Sequence, residues 1–472
     1  MDRKDIFCEI VKCECDKKFI NIKRIIMNSK EVEKDDLFVA IRGGNKFTGE
    51  ALEKGAYVVY DDKDIQIEEK FKEKAFYVND SVEFLQEFAE KWRKNLNLKV
   101  IGITGSNGKT TVKDMIYHLL SVKYKGKKTE GNYNNHIGLP FTLLRAEKGD
   151  DFIILEMGMS GFGEIDLLGK ISSPDISVIT NIGESHLEFL KTKKNVFKAK
   201  TEIIPHTKET LVINGDDEYL KDIDENSLKE KGLKTVKILN MGNDKNYMEN
   251  IEKSVESNND FYYGNIDFNE VETKFTLEYF DENCKKWTHK FYNTNVLGEH
   301  NILNLTIAVS VAKEMALGDE EIEKAVKDIV LTNMRFQIIT KGRTTYINDA
   351  YNASPMSMKK SLETFSKIYN DREKIAVIGD MLELGEQEGE LHASIFDVIV
   401  NTNLNRLYLY GPRMRFLYDR IRENSDNENI KKIETEYFES KEQIKEKLEG
   451  IKEEKVVLIK ASRGMKLEEV ME

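Results

Sequence analysis

The run Thr104-Gly105-Ser106-Asn107-Gly108-Lys109-Thr110-Thr111 is the part of this 472-residue chain best equipped for chemistry. An apolar stretch at 99–103 precedes it and an apolar-periodic stretch at 112–120 follows it, a pattern that predicts a strand, a tight turn and a helix. Glycines in such a turn let backbone N–H groups converge, and the helix N-terminus adds partial positive charge, so Gly105, Ser106, Asn107, Gly108 and Thr111 suit phosphate oxygens. Lys109 would neutralise β- and γ-phosphate charge, and the Thr110 hydroxyl would ligate Mg²⁺. The strict pattern Gly-x-x-x-x-Gly-Lys-Ser/Thr is not met, because Ile103 stands where its first glycine would be. Even so, a merely structural glycine turn does not account for Lys-Thr-Thr at a strand-to-helix junction.

Three further residues stand near predicted strand ends, where open α/β sheets bind their ligands. Glu156 closes the apolar run 153–155, His186 follows the strand 177–180 through the loop 181–185, and Lys200 lies on a helical segment at 195–204. A carboxylate and an imidazole beside a phosphate suit a divalent cation. Each also has a plainer reading: Glu156 as a helix cap, His186 as a satisfied loop histidine, Lys200 as a surface lysine.

The elements needed to position these residues are legible as three blocks. Residues 1–97 carry short apolar runs at 37–41 and 56–60, broken by Gly43-Gly44 and Asp61-Asp62, and then a helical period over 82–92, which fits a small α/β domain. Residues 98–333 alternate apolar runs at 152–155, 176–179 and 211–213 with helical patterns, as in a doubly wound parallel sheet. Near their end, Phe275, Leu277 and Tyr279 alternate with polar residues as on a half-exposed strand. Residues 334–472 resume the alternation at 345–347, 375–378, 407–410 and 456–459, which predicts a third α/β domain. The Lys/Glu-rich segment 439–455 reads as the solvated face of a helix.

Lys plus Arg total 72 against 84 Asp plus Glu, a net charge of −12, which argues against nucleic acid as a partner. No apolar run approaches the roughly 18 residues that a membrane span needs, and the N-terminal residues mix charges where a secretory signal would be apolar. The expectation is a cytoplasmic chain without a membrane segment. Of the four cysteines, Cys8, Cys13 and Cys15 crowd together without a neighbouring histidine or fourth thiol at zinc-site spacing, so reduced thiols are expected.

Across nearly its whole length the sequence resembles the Mur ligase family. The matching segments are 103–111 (ITGSNGKTT), 130–139 (EGNYNNHIGL), 155–159 (LEMGM), 181–188 (NIGESHLE), 199–203 (AKTEI) and 298–304 (GEHNILN), then 348–358 (NDAYNASPMSM), 379–385 (GDMLELG) and 460–465 (KASRGM). The resemblance implies an N-terminal domain holding a UDP-sugar, a central P-loop ATPase domain, and a C-terminal Rossmann-like domain contributing to the ATP and dipeptide sites. It implies ATP-dependent amide-bond formation through an acyl phosphate, with UDP-N-acetylmuramoyl-tripeptide and D-alanyl-D-alanine as substrates and a monomeric enzyme.

By the same resemblance, Thr110 and Glu156 serve one Mg²⁺ and His186 a second, and Lys200 is carbamylated so that it offers the metal an anionic oxygen pair. Asn301, Arg335 and Asp349 are implied to contact ATP, Asp349 at the ribose, with Asn352 in the same loop. The chain departs from the family at Asn28-Ser29-Lys30 and Phe47-Thr48-Gly49-Glu50, where Asp-Ser-Arg and Phe-Asp-Gly-His are usual, and at Ala461, where glycine is usual.

Overall fold

The computed structural model describes residues 2–12, 20–242, 259–281, 284–331 and 333–472. Cys13 and Cys15 lie outside these residues, and Cys8 is a buried free thiol. The chain is α/β and divides into two compact units. The first comprises Met1–Thr104, Tyr124–Ser177 and Glu202–Thr210, and the second Gly105–Lys123, Val178–Thr201 and Leu211–Glu472. Among the described residues, no helix is long and apolar enough to cross a membrane.

In the first unit, β1 (Ile25–Ile26), β2 (Leu37–Val39), β3 (Tyr57–Tyr60) and β4 (Ala75–Tyr77) form a parallel sheet in that order. The helix Ser81–Arg93 starts where Asp80 accepts hydrogen bonds from the Val82 and Glu83 N–H groups. Its buried residues Phe84, Leu85, Phe88, Ala89 and Trp92 recur at helical spacing on one face. The end of that face is fastened by polar groups. Trp92 Nε1 donates to the Ala146 carbonyl at 3.0 Å, and Arg93 donates to the Ser172 carbonyl at 2.9 Å and the Asp175 carboxylate at 2.7 Å. In the same unit β5 (Lys99–Thr104), β6 (Gly126–Lys128) and β7 (Phe152–Glu156) are parallel, with β7 between the other two. β8 (Ile176–Ile179) and β9 (Thr210–Asn214) each begin in the first unit and end in the second.

In the second unit β10 (Lys234–Gly242) pairs in parallel with β11 (Phe261–Phe268), and β12 (Thr273–Asp281) and β13 (Lys286–Thr294) extend the sheet antiparallel. Cross-strand rings stack on one face, Phe261 on Tyr279 and Phe275 on Tyr292. The expected half-exposed strand is buried on both faces over Phe275–Tyr279. Its polar members tolerate burial because neighbouring strands supply partners: Thr276 donates to the Gly264 carbonyl, and Glu278 lies 2.7 Å from His289 Nδ1.

The rest of the second unit is built on β14 (Gln337–Lys341), β15 (Thr344–Asn348), β16 (Glu373–Gly379), β17 (Arg406–Tyr410), β18 (Glu434–Phe438) and β19 (Lys455–Lys460). Their order is β14-β15-β19-β16-β17-β18, parallel except for β14 against β15. Alternate residues serve separate cores: Ala376, Ile378, Val456 and Leu458 join one, Ile375, Val377, Val457 and Ile459 the other. Burial on both faces is what the unbroken apolar runs require, at about 1.5–3 kcal/mol for each such side chain. The charged segment after Ser440 is the helix Lys441–Gly450, which buries only Ile444 and Leu448.

Candidate active site

β5 ends at Thr104, the helix Lys109–Leu120 begins five residues later in the second unit, and the intervening turn is possible only with glycine at two positions. Gly105 has φ +147°, and a Cβ there would lie 1.9 Å from Thr180 Oγ1. Gly108 has φ +82°, and a Cβ there would lie 2.8 Å from Asn304 Oδ1. The loop that follows β8 supports the turn. Ser106 N donates to the Asn181 carbonyl at 3.0 Å, Asn107 N donates to Asn181 Oδ1 at 2.9 Å, and Gly183 N donates to Ser106 Oγ at 2.8 Å. Lys109 Nζ folds back to donate to the Gly105 carbonyl at 2.8 Å. Thr110 and Thr111 are buried in the first helical turn. Asn181 thus takes the Ser106 and Asn107 N–H groups, and what the turn offers an oligophosphate is the N-terminus of the helix Lys109–Leu120 together with the Lys109 ammonium.

Lys200 belongs to the helix Lys193–Thr201, whose sequence is mostly cationic and polar, yet its side chain is only 1% exposed. The surface-lysine reading is therefore excluded. Burial first, and the charge of Lys109 second, push its pKa well below the usual lysine value. An amine so depressed is nucleophilic and can take up CO₂.

His186, in the left-handed region at φ +55°, places Nδ1 3.0 Å from the Glu383 carboxylate in the loop after β16. That contact with His186 is the main reason the Glu383 pKa falls below the ordinary carboxylate value. Glu156 belongs to the first unit. It is 4% exposed at the end of β7, where its N–H donates to Thr129 Oγ1 at 2.9 Å and its Oε1 accepts from Asn134 Nδ2 at 3.2 Å. It caps no helix.

Asn301 is buried in the first turn of the helix Glu299–Glu314, donating to the Leu297 carbonyl at 2.9 Å. Arg335 lies over the Tyr351 ring, 4.2 Å from its centroid. Both Asp349 oxygens are engaged: one accepts from Phe336 N at 3.2 Å, the other from the Ser361 hydroxyl and from Lys460 Nζ at 2.7 Å. Asn352 is exposed, and its carbonyl accepts from Lys460 Nζ at 3.1 Å. The second unit thus gathers the phosphate loop, His186, Lys200, Asn301, Arg335, Asp349 and Asn352, and the first unit carries Glu156. The sequence reading passed over Asn134, Asn181, Glu383 and Lys460. All four lie inside the segments quoted for the resemblance, but nothing in their local pattern marks them.

Known proteins place this arrangement. The Mur ligase middle domain matches residues 103–312, and the glutamate ligase domain of Mur ligases matches 334–463. The UDP-N-acetylmuramoyl-tripeptide--D-alanyl-D-alanine ligase of Bacillus subtilis (strain 168) is 33% identical over 457 residues, 95% of this chain and 92% of that protein. Among solved structures, MurF from Acinetobacter baumannii superposes with a TM-score of 0.79 at 25% identity, covering 95% of this chain and 92% of that one. MurF ligase from Thermotoga maritima, solved in complex with ADP, gives 0.77 at 29% identity, with 95% and 96% covered. A glycine-shaped phosphate loop, a buried lysine beside it and this likeness along almost the whole length have one common reading: the chain belongs to the Mur ligase family.

Proposed function

We propose that the chain joins D-alanyl-D-alanine to the peptide carboxylate of UDP-N-acetylmuramoyl-tripeptide, using ATP and releasing ADP and phosphate. The observation that carries this reading is the 33% identity to the Bacillus subtilis ligase over 95% of the chain, with the phosphate loop intact within it. A carboxylate acylates poorly because its leaving group would be oxide. Transfer of the ATP γ-phosphoryl group to it gives an acyl phosphate, which the dipeptide amine then displaces with loss of phosphate. The N-terminus of the helix Lys109–Leu120 and the Lys109 ammonium would hold the phosphates and offset charge on the transferring group, so the chain contributes chiefly positioning and electrostatic stabilisation.

The division of labour proposed is a UDP-sugar domain at 1–97, an ATP-binding domain at 98–333 and a dipeptide- and ATP-contacting domain at 334–472. Thr110, Glu156, His186 and Lys200 would hold Mg²⁺, two ions in all, which would neutralise phosphate charge. Among the described residues, no three His, Cys, Asp or Glu side chains gather as a ready-made cage. A carbamate on Lys200 would add the missing anionic donor, and the depressed amine pKa makes that modification chemically accessible. We place the enzyme in the cytoplasm, working as a monomer on soluble ATP and UDP-linked precursors.

One observation favours a second reading, a Mur-type ligase for a different UDP-linked peptide. The departing residues in the first unit are internally paired. Asn28 bonds to Lys30 N and to Glu31, and Lys54 Nζ bonds to the Ser29 carbonyl and to Glu50. An ADP-release assay with a panel of UDP-muramoyl peptides and dipeptides separates the two readings. With ¹⁸O in the muramoyl-peptide carboxylate, label is expected in the released phosphate. Label retained wholly in peptide would exclude the acyl phosphate.

A further inference from the structure

The phosphate loop is touched by a residue that the reaction chemistry does not call upon. Ser354 is 7% exposed and stands at the N-cap of the helix Pro355–Lys367, where its oxygen accepts from Ser357 N at 3.3 Å. The same hydroxyl donates to Asn107 Oδ1, in the phosphate loop, at 2.9 Å. Asn107 is itself fixed from the other side, its N–H donating to Asn181 Oδ1 and its carbonyl accepting from Asn181 Nδ2 at 3.0 Å. Two residues on, Met356 closes on the same place: its Cε lies 3.2 Å from where a Cβ on Gly183 would stand. Ser354 is also tied backward into the six-stranded sheet, because Lys460 on β19 holds the Asp349 carboxylate and the Asn352 carbonyl of the segment leading to it.

We propose that Ser354 is a positioning residue, a clasp whose hydroxyl sets the phosphate loop and the six-stranded sheet at the separation required for phosphoryl and acyl transfer. The proposal rests on the ligase reading above. A serine used only as a helix cap would need the Ser357 N–H alone. Here the second bond runs to a residue 247 positions away, in the loop that holds the transferring group. A neutral hydrogen bond of this kind changes an equilibrium about fivefold, at about 1 kcal/mol.

Two variants separate clasp from cap. Ser354→Gly removes the hydroxyl, but glycine is tolerated at an N-cap; Ser354→Thr keeps both bonds. For Ser354→Gly we expect kcat about fivefold lower, ADP affinity in the absence of the other substrates within twofold of wild type, and an unchanged melting temperature. Ser354→Thr should recover the wild-type kcat. Solution scattering should show a more extended second unit in Ser354→Gly than in wild type and Ser354→Thr. That measurement reads the clasp even if the wild-type chain joins no peptide, an outcome that would sink the ligase reading alone. Identical scattering curves for wild type and Ser354→Gly would overturn the clasp. So would a kcat loss that Thr fails to restore, or one accompanied by a matching fall in melting temperature.

Discussion

Lys109 and Lys200 act on each other: the positive charge of the first, added to the burial of the second, holds the Lys200 amine toward its neutral form. A charge-only role for Lys200 is thereby disfavoured, and a role that consumes the neutral amine is favoured. Lys200→Ala is expected to lower kcat about 10- to 100-fold, the range for loss of a group that organises a metal site. Lys200→Arg should fail equally, since a guanidinium stays charged and takes up no CO₂. Intact mass spectrometry under CO₂-trapping conditions should show added carbamate on the wild type and none on either variant. An active Arg variant would dismiss the carbamate.

Lys109→Ala should leave the fold unchanged while lowering kcat on the order of 10³-fold, the scale set by loss of a single charge stabiliser of the transition state. Turnover, together with far-UV circular dichroism as the folding control, decides it. Wild-type turnover would remove Lys109 from the mechanism.

At Gly105 the test is steric. A methyl group there meets Thr180 Oγ1 at 1.9 Å on a backbone that already has φ +147°. Gly105→Ala should weaken ADP binding at least about tenfold, through backbone strain of about 1–3 kcal/mol displaced into the loop. Isothermal titration with ADP measures it, and unchanged affinity would show that the loop relaxes freely.

His300 supplies a pH dependence. Its Nδ1 is buried without a hydrogen-bond partner among the described residues, and burial lowers its pKa from 6.5 to about 4. Between those values the unfolded chain binds a proton that the folded chain refuses, so this group costs stability as pH falls from 6.5 toward 4 and costs nothing above 6.5. His300→Gln should therefore gain on wild type by about 2 kcal/mol between pH 7 and pH 4.5 in urea titrations. A constant difference across that range would exclude the effect.

What could be read from the sequence was whatever is written locally. The phosphate loop carries its own glycines and cation, and the β16 and β19 runs are apolar throughout because both faces are covered. The burial of Lys200 had no local sign. Its helix reads KKNVFKAKT, and only packing of Val196, Ala199 and Lys200 inward distinguishes it from a surface helix. Glu278 was equally opaque, because a buried carboxylate is admitted by His289 on the adjacent strand rather than by its own neighbours. The partners of Asp349 are supplied by Phe336, Ser361 and Lys460, a convergence that no spacing rule foretells.

The Arg93 bridge in the first unit bears on how this protein can be cut. The polar stretch after the helix Ser81–Arg93 looks like a seam between two sheets, but the Asp175 carboxylate beyond it is shared between the Arg93 guanidinium and the Val100 N–H, each at 2.7 Å. A fragment beginning at residue 98 would keep the carboxylate and lose its buried partner Arg93, leaving it only the half-exposed Lys208 at 3.8 Å. A fragment ending there would carry the bared Trp92 face into solvent. Splitting or grafting this enzyme at its most obvious linker would deprive a carboxylate of its closest cation in one piece and leave an adhesive surface in the other, so exchange of residues 1–97 between relatives would have to take the 172–175 corner with it.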